Sequence, residues 1–173
     1  MAKWGKFDTR QFEQFAETLK KASDERVVER FIRDFLMEMA YRAERKIKKR
    51  TPVGDGQLRR AWTVGKVQRR GSYYYVEIFN NAEYVSFVEN GFRSHWVPGY
   101  WQGKTFVYDP DSKSGMQVGE KGGWVEGKFM MAISMKEIER ELPKYLQKRQ
   151  TDLLNDIMNG RPARKGDADG DDG

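Results

Sequence analysis

TPVGDGQLRRAW, Thr51 to Trp62, is the stretch that organises this chain. A residue that precedes proline is pushed out of the α region, so Thr51-Pro52 stops whatever helix arrives there. Val53-Gly54-Asp55-Gly56 then supplies a tight turn from residues that tolerate positive φ. A long charged helix is expected to end at this corner, and Gln57 to Trp62 to open a strand whose start carries Arg59 and Arg60. A second stretch, NNAEYVSFVENG from Asn80 to Gly91, ends on an acidic residue and a glycine. Neither stretch carries a recognisable catalytic pattern.

Upstream of the corner, Asp8 can cap a first helix over about residues 9–21, with Phe12, Phe15, Ala16 and Leu19 at helical spacing. Ser23 or Asp24 opens a second. Its apolar positions, Val27, Val28, Phe31, Ile32, Phe35, Leu36, Met39, Ala40, Ala43 and Ile47, recur at three- and four-residue steps and predict the spine of the fold.

Downstream, Arg59–Gln68 and Ser72–Phe79 are rich in β-formers and flank Arg69-Arg70-Gly71, which predicts an antiparallel hairpin. Tyr74, Val76 and Ile78 share the face expected to meet the core, because the other face includes Glu77. Ala82–Glu89 predicts a short helix. Residues 92–124 are punctuated by Gly and Pro yet dense in aromatics, and read as an extended loop or β-hairpin arm. In it, Lys104–Tyr108 is expected to pair with Met116–Val118 across the Asp109-Pro110-Asp111 turn. Phe92, Trp96, Tyr100, Trp101 and Phe106 are its candidate partner contacts, since few cations accompany them and aromatic anchors bury well at protein interfaces.

Ser134-Met135-Lys136-Glu137 has a capping-box pattern and predicts a last helix to about Met158. Ile138, Leu142, Tyr145, Leu146, Leu153, Leu154 and Ile157 form its apolar stripe, and Pro143 is expected to kink or split it. From Gly160 the tail is small and charged, and is expected to remain unfolded without a partner. The predicted class is α+β: long N-terminal helices and a kinked C-terminal helix packed on a small antiparallel sheet. One domain, 1–159, carries the arm at 92–124, followed by a flexible tail at 160–173.

Composition narrows the function. The chain of 173 residues has no cysteine, which excludes a disulfide framework and thiolate chemistry. It carries 34% charged residues with a net charge of +6. Eleven of the cations lie in residues 42–70 against two acids, so the remainder is net negative. Such segregation suits phosphate or an acidic protein, with Arg42, Arg45, Lys46, Lys49, Arg59 and Arg60 as the candidate patch facing DNA or an assembly partner. Complementing a helix dipole explains the cations on the helix but not those after the corner. His95 is the only histidine and cannot supply a zinc set, and the Asp109/Asp111 spacing does not fit a calcium loop. No cofactor, metal or catalytic residue is predicted, and no window is apolar enough for a signal peptide or membrane span.

The two quoted stretches together resemble the tail-completion or head-tail joining proteins of long-tailed phages, the "gp-ten-like" minor tail components. Thr51, Pro52, Gly56, Leu58 and Arg59 match one family motif; Asn80, Tyr84, Val88, Glu89 and Gly91 match the other. Gly127-Lys128-Phe129-Met130 resembles the family's glycine-aromatic step into a last helix, whereas the long aromatic insert between Gly91 and Gly127 departs from its short link. The resemblance implies a non-enzymatic virion protein of the neck, assembled in the host cytoplasm as a ring of copies around the DNA channel. Its implied partners are further copies of itself, a head connector or stopper, a tail terminator or tail tube protein, and DNA in the channel by non-specific contact. The contrasting expectation is a small basic nucleic-acid-binding module that uses residues 42–70 on phosphates.

Overall fold

The computed structural model describes Arg10, Glu13, residues 25–54 and residues 56–158. Apart from Arg10 and Glu13, both helical, the expected first helix lies outside the described residues, as do the Ser23/Asp24 cap and the C-terminal tail. The chain divides into two compact units: the described residues up to Ala82 together with those from Met130 onward, and Glu83–Phe129. The class is α+β: along the chain, a long helix precedes and another follows a set of small antiparallel sheets.

In the first unit, α1 spans Glu25–Arg50 and α4 spans Met130–Met158. The predicted stripe of α1 is the core. Val28, Phe31, Ile32, Phe35 and Met39 cluster with Leu146 and Leu153 of α4, and Tyr74 and Leu142 pack against them. Phe31 and Phe35 stack with ring centroids 6.2 Å apart. Truncating a buried phenylalanine such as Phe35 typically costs about 3–5 kcal/mol, so this seam carries much of the unit's stability.

Two expectations for α4 are corrected. The helix begins at Met130, before the proposed Ser134 cap; Ser134 is instead a buried interior position and accepts a hydrogen bond from Arg50 at 3.3 Å. Of the two outcomes expected at Pro143, a kink or a split, the split does not occur: the helix continues through it. Leu154 is exposed rather than part of the buried stripe, because Leu146 and Leu153, seven residues apart, already define the inward face.

After the corner, Gln57–Arg60 is a single helical turn, α2, and not the start of the strand. Gly56 at φ 79° sends the chain into that turn, and the Arg60 and Ala61 amides bond the Gly56 and Gln57 carbonyls, both at 3.0 Å. The strand starts at Trp62. The hairpin is then built in two steps: β1 (Trp62–Val64) pairs with β4 (Ile78–Asn80), and β2 (Gln68–Arg70) with β3 (Tyr73–Tyr75). Between them the register slips by one, with Lys66 and Val67 opposite Val76, which is a bulge that increases twist. Tyr74, Val76 and Ile78 are half-buried while Tyr73, Tyr75 and Glu77 are exposed, as the alternation predicts.

The second unit holds α3 (Val85–Asn90), β5 (Gly91–Arg93), β6 (His95–Gln102), β7 (Thr105–Tyr108), β8 (Gly115–Val118) and β9 (Trp124–Glu126). The arm is a sheet, but its pairing differs from expectation: β7 and β8 each pair with β6, not with one another. Gln102 pairs with Thr105, leaving Gly103-Lys104 as a two-residue hairpin loop. Gly103 at φ 64° with no positive φ at Lys104 is the pattern of a II′ turn, a signal stronger than the looser Asp-Pro-Asp turn. Within β6, residues 95–98 pair with β8 and residues 99–102 with β7, so Pro98 sits where the strand changes partner. A proline is tolerated there because no ladder amide is demanded of it.

Candidate assembly surfaces

The corner is a hydrogen-bonded knot centred on Thr51, which is only 1% exposed. Its amide and its Oγ1 both donate to the Ile47 carbonyl, at 2.9 and 2.8 Å, closing α1. The same Oγ1 accepts from the buried Trp62 Nε1 at 2.9 Å, and the Thr51 carbonyl accepts from Arg59 at 3.0 Å. Leu58 is buried and its carbonyl accepts from Asn80 Nδ2 at 2.8 Å, while Asn80 Oδ1 accepts from the Ala82 amide. The first motif is thus tied to the opening residue of the second. Pro52 is exposed at the outside of the bend.

The remainder of the second motif is a close-packed backbone crossing. Glu89 is buried, and its carbonyl accepts from the Phe129 amide at 3.0 Å, beside Val88 accepting from Lys128 at 2.8 Å. Gly91 has φ 82°, and a Cβ there would lie 2.4 Å from the Val125 carbonyl oxygen. A Cβ on Gly127 would lie 2.3 Å from that of Glu89. Only glycine fits at either side of this crossing, which is why the motif ends in one and the step at Gly127 begins with another. Phe129 follows at φ 48° immediately before α4 begins. Tyr84 is exposed; its carbonyl receives the first amides of α3, from Phe87 and Val88.

The basic run divides sharply. Arg42 bonds Glu38 and lies 4.2 Å from the Tyr145 ring centroid, and Arg149 reaches the same Glu38 at 3.2 Å. Lys46 bonds Glu141 at 3.1 Å and Glu137 at 3.3 Å, and Arg50 pairs closely with Glu137. Burial works against the charge of Lys46, yet its hydrogen bonds to Glu141 and Glu137 hold its pKa above the ordinary lysine value. For Glu137 the balance likewise runs against desolvation: Lys46, Arg50 and Arg140 lower its pKa. These cations staple α1 to α4. Arg59 is engaged at the corner, whereas Arg45, Lys49 and Arg60 are exposed.

The aromatic residues behave differently. Among the described residues, the unit 83–129 buries no apolar side chain fully; its fully buried positions are Glu89 and Gly99. Trp96, Tyr100 and Trp101 are 55%, 48% and 59% exposed. Trp124 is exposed too, as is Tyr108, which sequence reasoning did not single out. Strand alternation places Trp96 and Tyr100 on one face of β6 and Trp101 on the other, so each face of the sheet carries exposed aromatic side chains. Phe92 and Phe106 are half-buried and act inwardly: Phe92 meets Phe87 and His95 edge-on, and Phe106 meets Trp101 with centroids 5.4 Å apart. Phe106 also lies over Gly99, where a Cβ would meet its ring at 2.7 Å.

Among the described residues no cluster of His, Asp or Glu could hold a metal, and no helix is long and apolar enough to cross a membrane.

Residues 13–91 match the family model described as "Bacteriophage HK97-gp10, putative tail-component". That segment, which contains α1, the corner and the second motif, is thus similar to a phage tail component, the family the two motifs resemble. Two relatives from Bacillus subtilis (strain 168) are similar to this chain. The "Uncharacterized protein YqbI" is 36% identical over 86 residues, covering 42% of this chain and 50% of that protein. The "Phage-like element PBSX protein XkdI" is 35% identical over 57 residues, covering 30% of this chain and 34% of that protein. The matches thus span half or less of either relative. No solved structure matches the chain significantly.

Proposed function

We propose that this protein is a non-enzymatic structural component of the virion neck, completing the tail and joining it to the head connector as a ring of copies. The observation that carries the reading is the second unit's sheet, with exposed aromatics on both faces, joined to a segment similar to a phage tail component. A sheet of this size is not expected to leave Trp96, Tyr100 and Trp101 in water unless another surface covers them in the assembled particle. Neighbouring copies, the connector or stopper, and the tail terminator or tube are the proposed covers. The similarity to a phage-like element protein supports the same setting. A nucleic-acid module acting through α1 is less favoured, since Arg42, Lys46 and Arg50 are occupied by Glu38, Glu137 and Glu141.

The test is Tyr100→Ala with Trp101→Ala in a phage lacking its own copy. Both side chains are exposed, so the variant should keep its circular dichroism and lose no more than about 1 kcal/mol of stability. Electron microscopy should then show heads and tails that fail to join. Normal yields of infectious particles would end the reading.

A further inference from the structure

The far end of the hairpin carries charge that its own unit leaves unanswered. Lys66, Arg69 and Arg70 are all exposed, and among the described residues none of them forms an ion pair. Between Thr63 and Phe79 the only acid is Glu77, at the base of the hairpin where its carbonyl accepts from Gly65. Arg69 is anchored: Nε donates to the Gly71 carbonyl at 3.0 Å and the guanidinium lies 5.4 Å from the Tyr74 ring. Arg33 of α1 lies 5.6 Å from that same ring and donates to the Val67 carbonyl, so the tip is braced against the helix.

Cross-strand register puts Gln68, Arg70, Tyr73 and Tyr75 on one outer face. Tyr73 is 63% exposed, and its hydroxyl has no partner among the described residues, whereas the Tyr75 hydroxyl donates to Gln68 at 2.7 Å. This face has hydrogen-bond donors and a cation but no aliphatic side chain, which suits phosphate oxygens better than the mixed surface of an acidic protein. It is a two-stranded ribbon with one tyrosine already held, which suits the groove of a duplex better than the stacking of single-stranded bases.

We infer that the β2–β3 tip is a sequence-independent contact to the phosphate backbone of double-stranded DNA. Lys66, Arg69 and Arg70 neutralise phosphates, and the Tyr73 hydroxyl donates to a phosphate oxygen. The inference stands on the hairpin's own charge and not on where the protein sits in the particle.

Three neutralised phosphates give log affinity a slope of about −2.7 against log salt, a loss of roughly 40-fold between about 50 and 200 mM. Fluorescence anisotropy of the full chain with a short random-sequence duplex should show this. Lys66→Gln with Arg70→Gln, which spares the Arg69–Tyr74 contact, should reduce the slope by about 1.8. Lys148→Gln, an exposed cation on α4, should leave both slope and affinity unchanged. Several results would overturn the inference: no duplex binding at the lowest salt, a slope untouched by the double variant, an equal effect of Lys148→Gln, tighter binding of single strands, or equal binding of polyglutamate. Loss of DNA binding in a variant that still joins heads to tails would support the contact and leave the neck reading standing, so the two fail separately.

Discussion

Thr51 shows how one side chain converts a sequence break into a built corner. A proline after it stops the helix in any context, but the hydroxyl sets where the chain goes next by linking the Ile47 carbonyl in the last turn of α1 to the indole of Trp62. Thr51→Val keeps the shape and removes both bonds, leaving a buried indole N–H without its partner. The expected cost is about 1–3 kcal/mol in urea unfolding, while Thr51→Ser should cost less than about 1 kcal/mol. Equal stability of valine and threonine would show that Trp62 finds another acceptor. The Lys46–Glu137–Glu141 cluster predicts the pH profile. Because the pKa of Glu137 is lowered in the fold, its stabilisation is present above the ordinary glutamate value and is lost as pH falls through the lowered one. Because that of Lys46 is raised, its share is present below the ordinary lysine value and disappears as pH rises through the raised one. Urea midpoints should therefore fall at both extremes, and Glu137→Gln should flatten the acid limb; an unaltered acid limb would assign it to other carboxylates.

At the scale of elements, α4 illustrates tertiary packing overriding local signals. Pro143 lacks the amide that Glu139 would receive, yet the helix runs through it because Ile138, Leu146 and Leu153 on either side are buried. Pro143→Ala should restore that bond and raise stability, by at most about 3 kcal/mol. Destabilisation on thermal unfolding would mean that the proline sets a bend which the α1 seam requires. In β6 the opposite holds, since local chemistry decides the pairing. Gly103-Lys104 makes a two-residue loop, and Gly99 at φ 154° admits no side chain beneath Val107 and Phe106.

For the molecule as a whole, the helix pair with its hairpin forms one compact unit and residues 83–129 another. Removing 95–122 and joining the ends through a short glycine linker should leave the first unit folded, because its core draws on α1, α4 and the hairpin alone. Helical circular dichroism and a cooperative unfolding transition would bear this out, and loss of both would show that the unit depends on the arm. The same deletion should abolish tail joining, as the proposed covers would have nothing to bury.

What the sequence by itself determined is what local physics controls. The α1 stripe follows from helical spacing, the helix stop from Thr51-Pro52, the alternation of Tyr73 to Ile78 from strand pleating, and the family resemblance from residue types at fixed steps. The tertiary structure decided whatever depends on partners distant along the chain. Charge counting could not see that Lys46 and Arg50 meet carboxylates 87 to 95 residues away, whereas Lys66, Arg69 and Arg70 meet none among the described residues. Nor could it see that Ser134 caps nothing, or that β7 and β8 both choose β6 over each other. Ion pairs and strand partners are selected by proximity in the folded chain, and proximity of that kind is a property of the packed core rather than of any short run of residues.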